Sequence, residues 1–392
     1  MLPIIPVDVL IVGSGPSGMS TALHLVRQDK NWAKRIIVVD KAIHPREKLC
    51  GGGITHLGQN ILANLGLPIG VPNFEVREVR LVYQNKSYSF FGNPVFRIVR
   101  RDEFDHWLVQ TGEKEGVTVR QGETVKELVV HEDYVEVTTD KAVFQAQLLV
   151  GADGSRSLVR TKLKWDDDSR VARLLEVLTP EDPRQDVLFR DEVAVFDFTR
   201  MTDGLQGYYW DFPSYVKGEP MMNRGVFDSR ACPDLPKPDL KEELRDLMAE
   251  RGRDLADYKL KGHPIRWYDK KGKVADHRVM LVGDAAGADP LFGEGISFAL
   301  GYGEPASKTI MDAFARQDFS LQRYKKELHH TWLFRHLALR TWAARSVYWL
   351  RYPWVVRLGW QVARLIMYLT PWRNPHYTPG QLPTLVTAPN EQ

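Results

Sequence analysis

One stretch near the start constrains this chain more than any other. An aliphatic run, Val9–Val12, passes directly into Gly13-Ser14-Gly15-Pro16-Ser17-Gly18, and a second run, Ile36–Val39, ends in Asp40. A pattern with helical spacing lies between them. Gly13 permits a tight turn from strand to helix, Gly15 leaves room for a pyrophosphate against the backbone, and Gly18 lets the helix lie close on the strand. The first helical turn, which opens at Pro16 and continues through Ser17, offers unpaired N–H groups beyond the proline and the positive end of a dipole to the phosphates. Asp40, with Lys41 beside it, can accept hydrogen bonds from a ribose. A lone pattern of this kind is weak evidence. Set between a strand and a helix, with an acid 22 positions after its last glycine, it is a strong sign of a dinucleotide site.

The chain has 392 residues, so two or three structural units are expected rather than one small core. A hydrophobic content of 43% is that of a globular protein, and a net charge of +3 gives no global reason to bind nucleic acid. Two distant cysteines, Cys50 and Cys232, exclude a disulfide framework and a Cys-rich metal site, and fit a reducing compartment. No metal is expected. The nucleotide-binding strand begins by Val7, which leaves no room for a cleaved signal peptide, and no apolar run is long enough to span a membrane. A cytoplasmic protein is expected, with the membrane surface as a second possible location.

Downstream, Lys48-Leu49-Cys50-Gly51-Gly52-Gly53 suits a loop lying flat against a ligand, because three glycines support neither helix nor strand. Cys50 at its edge reads equally well as a buried packing residue and as a functional one. Ile54–Leu65 has helical spacing, Val76–Phe91 and Phe96–Val99 alternate like strands, and Arg101 opens a further helix. Arg101 reads as a phosphate or ribose contact, or as a solvated charge. Val117–Arg120, Val125–His131 and Tyr134–Thr139 read as strands, and Gln145–Val150 as another that runs into Gly151-Ala152-Asp153-Gly154-Ser155-Arg156. Residues 165–170 read as a polar linker. From Val171 to about Trp267 short aromatic-rich strands dominate, with a helix over Lys241–Leu255. The first pattern then returns. The strand Arg278–Val282 leads into Gly283-Asp284-Ala285-Ala286-Gly287-Ala288-Asp289-Pro290-Leu291-Phe292-Gly293-Glu294-Gly295-Ile296 and a helix to about Phe314. Asp284 can bind a hydroxylated chain, and the amides of Gly293–Ile296 face a possible anion.

Three motifs in this order resemble those of the FAD-binding oxidoreductases of the p-hydroxybenzoate hydroxylase-like superfamily, over roughly the first 320 residues. The resemblance implies bound FAD. Its ADP part would lie on Gly13–Gly18 and Asp40, with Arg101 and the Val125 backbone nearby. Asp153-Gly154 would support the flavin, Asp284 would hold the ribityl chain, and Gly295–Ile296 would face the isoalloxazine O2. Lys48-Leu49-Cys50-Gly51-Gly52 is similar to the K-x-C-G-G motif of geranylgeranyl reductases, and Gly207-Tyr208-Tyr209-Trp210-Asp211-Phe212-Pro213 to their G-Y-x-W-x-F-P motif. Asp211 replaces the usual isoleucine, a change that can alter the pocket. On spacing alone, Tyr208 and Trp210 are same-face packing on a strand; the family match makes them cavity residues.

The resemblance implies an α/β fold, with an inserted mixed β-sheet substrate domain and a C-terminal helical region. The FAD-binding domain is expected over 1–70, 100–165 and 270–327, the substrate domain over 71–99 and 166–269, and the helical region over 328–392. The implied chemistry is reduction of C=C bonds in a prenyl or other apolar lipid-like substrate, by hydride from flavin N5 and a proton from Cys50, Tyr208 or an ordered water. A flavin monooxygenase of an aromatic or polycyclic substrate is the alternative. A halogenase and a non-catalytic flavoprotein follow. No second dinucleotide unit is evident, so NAD(P)H would bind transiently over the flavin, or a reduced electron carrier would serve.

Leu328 to Asn390 holds seven arginines, six of the eleven tryptophans and no acid. Over Trp354–Leu369, Arg357, Gln361, Arg364 and Tyr368 share one side, and Val355, Leu358, Val362, Leu365, Ile366 and Leu369 the other. The segment reads as a lid packed on the core, or as an interfacial helix that meets anionic lipid. The sequence does not indicate the oligomeric state.

Overall fold

Five parallel strands carry all three motifs. Ile4–Val12 pairs with Ile36–Asp40 on one side and with Val143–Gly151 on the other; Val279–Leu281 extends the sheet beyond Val143–Gly151, and Thr118–Gln121 beyond Ile36–Asp40. The register places Val12 opposite both Val39 and Gly151, and Gly151 opposite Leu281. The three glycine-bearing turns therefore leave the sheet at one level, along its carboxyl edge, where α/β sheets bind ligands. Strands buried on both faces need continuous apolar runs, and Val9–Leu10–Ile11 and Leu148–Leu149–Val150 are fully buried. The antiparallel pair Val125–Val130 and Val135–Thr139 joins this sheet through Val143–Gly151.

The computed structural model describes residues 2–84, 86–165, 171–350 and 352–369, the last seven by backbone alone. Residues 166–170, most of the expected linker, lie outside them, as do Arg351, Trp372 and Arg373.

A second eight-stranded sheet lies across the chain's middle. It runs in the order Lys261–Arg266, Val171–Pro180, Glu219–Asp228, Gly207–Val216, Val193–Asp197, Asn73–Tyr83, Lys86–Val99, Gly53–Thr55. Every pairing is antiparallel except that of Val193–Asp197 with Asn73–Tyr83. Alternation along Gly207–Val216 divides its side chains. Tyr208, Trp210 and Phe212 join one apolar cluster, and Tyr209 joins another against the Leu240–Glu250 helix. The fold is thus the expected α/β architecture with mixed sheet and C-terminal helices. Ile296–Gly301 and Gly303–Arg316 form two helices where the sequence read one.

The last helices are Gln322–His330, Trp332–Trp349 and Pro353–Leu369. Ala344, Tyr348 and Val356 are buried in the second sheet's cluster, so the last two helices pack on that sheet. Among the described residues no helix is long and apolar enough to cross a membrane.

Candidate active site

At the first turn, Gly13 has φ +109°, and a Cβ there would lie 2.3 Å from the Ala152 carbonyl oxygen. A Cβ on Gly18 would stand 2.0 Å from the Gly13 carbonyl oxygen, so strand, turn and helix approach as only glycine allows. Gly15 differs, since its nearest neighbour would be an Arg46 guanidinium nitrogen at 3.7 Å. The helix begins at Pro16, where a missing N–H costs nothing. Ser17 is buried, its hydroxyl against Gly283 of the third motif.

Asp40 accepts from the Ser14 amide at 2.8 Å, the Ser14 hydroxyl at 2.7 Å and the Ala42 amide at 2.8 Å. Burial raises its pKa, but these hydrogen bonds outweigh it and hold the carboxylate below its ordinary range. The Glu123 amide donates to the Asp40 carbonyl, which brings the segment leading to Val125 beside this acid. Lys41 is exposed. Arg101 is no solvated charge. It grips Asp105 through two hydrogen bonds of 2.7 and 2.8 Å, and Arg46 reaches the same fully buried carboxylate at 3.0 Å. Two guanidinium groups on one acid leave excess positive charge near Gly15, suited to a pyrophosphate.

A cavity of about 700 Å³ opens beyond this point. It brings together Cys50, Gly51, Gly52, Arg101, Tyr208, Trp210, Asp284, Gly293, Gly295 and Ile296 from the expected site. Gly13–Gly18, Asp40, Val125, Asp153-Gly154 and Pro290 lie outside its wall. Gly52 has φ +81°, and a Cβ there would meet the Val99 carbonyl oxygen at 2.1 Å, so the triple-glycine loop lies flat against the strand Lys86–Val99. Gly283 and Gly293 also have positive φ. The Pro290 carbonyl accepts from the Ser229 hydroxyl.

The geometry fits FAD. Nothing lies within 4 Å of a Cβ built on Gly154 or Gly295. Asp153 Oδ1 is buried without a partner, and burial raises the pKa of this carboxyl despite hydrogen bonds from Ser157 and Val159. Burial also raises Asp284, against the pull of Lys48 and Arg101. These are acceptors awaiting donors, as hydroxyl groups of a ribityl chain would be.

Several participants escaped the sequence. Lys48 stands out in the sequence only as part of its motif; its ammonium meets His263 Nε2 at 2.5 Å, and burial together with Arg101 lowers its pKa to about 8. His263 falls to about 3 through burial and the same cations, and so accepts as a neutral ring. Glu176 is buried below the Cys50 loop, its pKa raised by burial. Asn223 links this region, donating to the Cys50 carbonyl at 3.3 Å and accepting from Trp210 Nε1 at 2.9 Å. A Cβ on Gly225 would lie 2.2 Å from the Trp210 ring, so that glycine lets the indole lie flat on its neighbour strand.

One expectation needs correction. Asp211 does not reach the cavity. It lies on the opposite face of its strand, paired with Arg224 and, at 3.0 Å, with Arg251. Arg340 turns inward, whereas Arg335, Arg345 and Arg357 are exposed. It binds Asp289 at 2.6 Å and Glu294 at 2.8 Å, and so fastens the Trp332–Trp349 helix to the third motif's loop. Trp360 completes the cavity wall, with its ring 4.8 Å from Phe198.

The model of a family described as FAD binding domain matches residues 6–300. A menaquinone reductase of Mycobacterium tuberculosis is 28% identical over 336 residues, covering 77% of this chain and 76% of the relative. A digeranylgeranylglycerophospholipid reductase of Methanosarcina acetivorans is 24% identical over 346 residues, with 83% and 80% covered. Among solved structures, a geranylgeranyl bacteriochlorophyll reductase-like protein of Thermoplasma acidophilum superposes with a TM-score of 0.72 at 22% identity, over 88% of each chain. At that identity the likeness speaks for the fold.

Proposed function

Because the chain belongs to the FAD binding domain family of FAD-dependent oxidoreductases, we propose that it reduces C=C bonds in a prenyl or similar apolar, lipid-like substrate. The observation that carries this reading is the cavity's polarity. Its polar lining consists of Lys48, Arg101, His263 and Asp284, with His56 and the Arg340–Glu294 ion pair, whereas most of the wall is aromatic and aliphatic, including Leu81, Phe90, Phe196, Phe212, Ile265 and Trp360. A substrate recognised there is held by apolar contact rather than by hydrogen bonds. Bound FAD supplies hydride at N5, and NAD(P)H or a reduced electron carrier restores it.

The chain's own residues then have distinct tasks. Lys48 and Arg101 put positive charge beside Asp284, and Asp284 orients the ribityl chain. Gly295, with no side chain and open space above it, presents the start of the Ile296–Gly301 helix to the flavin. The wall residues exclude water from the reacting carbons. For the proton, Cys50 is better placed than Tyr208. The Tyr208 hydroxyl already donates to the Phe292 carbonyl, and burial with Asp289 and Cys50 nearby raises its pKa well above the ordinary phenol value. Cys50 is half-buried at the cavity edge, with its Sγ accepting from the Gly52 amide at 3.4 Å. Tyr208 and Trp210 shape the wall.

Cys50→Ser is expected to retain FAD and stability while substrate reduction falls about a hundredfold, the range of a lost general acid. Stopped-flow oxidation of the reduced protein by substrate, beside FAD content and a denaturation curve, checks this. Reduced stability with normal turnover per folded molecule would make Cys50 a packing residue.

A further inference from the structure

From the outer surface of the last two long helices we infer an anionic-lipid docking face, set at the mouth of the cavity. Its purpose rests on the proposed lipid-like substrate; its evidence does not. In Trp332–Trp349, Arg335, Leu339, Trp342 and Trp349 recur at intervals of four, three and seven residues, and so share one side. Trp342 and Trp349 are each 67% exposed. In Pro353–Leu369, Trp354, Leu358 and Val362 recur every four residues and are exposed, whereas Val356 is buried and Trp360 lines the cavity. Each helix therefore buries one apolar face against the core and turns a second one outward. These six large apolar side chains, exposed on two successive helices, mark an interaction site.

The occupant follows from charge and continuity. Arg335, Arg345 and Arg357 are exposed on these helices, and residues 328–390 contain no acid. The composition suits an anionic partner that also accepts indole rings, which is the boundary of a bilayer. A second copy of the chain would set arginine against arginine. Leu339 is 61% exposed and also lines the cavity, so the cavity wall continues into the exposed stripe. A lipid tail can pass from one to the other without crossing water. No described helix spans a membrane, so the protein rests on the surface.

The test is flotation of the full-length holoprotein with phosphatidylcholine vesicles, with and without phosphatidylglycerol. The protein is expected to float with the anionic vesicles at low salt and to be released as salt rises, since the Debye length is about 8 Å at physiological ionic strength. Trp349→Ser, Leu358→Ser and Arg335→Glu, Arg357→Glu double variants should each lower the bound fraction about tenfold, with FAD content unchanged. Flotation needs no turnover, so it can fail while the reductase reading stands, and the reverse. Absence of flotation on anionic vesicles at low salt overturns the inference. So does a variant that floats normally but turns a dimer into a monomer in sedimentation, which would make the face a contact between copies.

Discussion

A Gly15→Ala protein is expected to fold as the wild type does and to purify without its yellow colour. The backbone at Gly15 has φ −71° and ψ −178°, which alanine adopts freely. Its new methyl would meet only the far end of the Arg46 side chain, at 3.7 Å. The apoprotein therefore loses almost nothing. The methyl does occupy the place where a pyrophosphate approaches the backbone, so FAD affinity should fall about a hundredfold or more, roughly 3 kcal/mol. Gly18→Ala is the contrasting case. Its methyl falls 2.0 Å from the Gly13 carbonyl oxygen, and neither backbone segment can yield without breaking the turn. Overpacking of this kind costs about 3 kcal/mol or more, and both folding and FAD binding should suffer. Denaturant titration of the apoproteins and fluorescence titration with FAD separate the two. Equal FAD affinity in Gly15→Ala and wild type would remove the pyrophosphate from this turn.

Arg340→Ala has the second large expected effect. Asp289 is fully buried and already accepts from the Leu291 amide at 2.8 Å and the Phe292 amide at 3.2 Å. The Glu294 amide adds a longer contact at 3.4 Å, and the cationic partner of Asp289, shared with the Glu294 side chain, is the Arg340 guanidinium. Burial disfavours the charged guanidinium, yet the two carboxylates raise its pKa above the ordinary value. Its removal leaves two enclosed carboxylates facing each other across a gap, at a cost of about 3 kcal/mol. The loss should appear in two places at once. The holoprotein should unfold at lower denaturant, and FAD should dissociate faster, because the 289–294 loop leads directly into Gly295–Ile296. Arg340→Lys should recover only part of either, since an ammonium cannot reproduce the fork. Unchanged stability in Arg340→Ala would show that the helix does not fasten the loop.

These two sites also show what the sequence could and could not reveal. Gly13 and Gly18 are legible because local backbone geometry demands glycine there, Gly15 because a pyrophosphate needs the space, and the spacing to Asp40 follows from one helix and one strand. The parallel sheet is legible for a related reason: strands buried on both faces must be uniformly aliphatic. Arg340 is different. Nothing within its own acid-free segment can pair with it, so its partners had to lie elsewhere, and only the fold identifies Asp289 and Glu294. Lys48 and His263 are 215 positions apart and meet only because the second sheet's edge strand lies beside the triple-glycine loop. Glu176 and Asn223 look like ordinary strand residues until pairing of Val171–Pro180 with Glu219–Asp228 places them under Cys50. The helix Trp332–Trp349 escaped delimitation because it buries Leu337, Ala344 and Tyr348 on one side and exposes tryptophan on the other. Apolar residues all round a helix leave no clear period. In Gly207–Val216 the alternation is visible and the resemblance puts Tyr208 and Trp210 at the cavity, but only the fold shows that Asp211 is taken up by Arg224 and Arg251 and leaves the pocket unaltered.

The proposed reduction is tested most directly by the product. Purified holoprotein, reduced chemically under anaerobic conditions, is mixed with a prenyl lipid dispersed in detergent, and the lipid is then weighed by mass spectrometry. Reduction of a double bond predicts a product heavier by two hydrogen atoms, formed without oxygen and formed about a hundredfold more slowly in Cys50→Ser. A product heavier by one oxygen atom, formed only after air is admitted, would contradict the account and identify a hydroxylase.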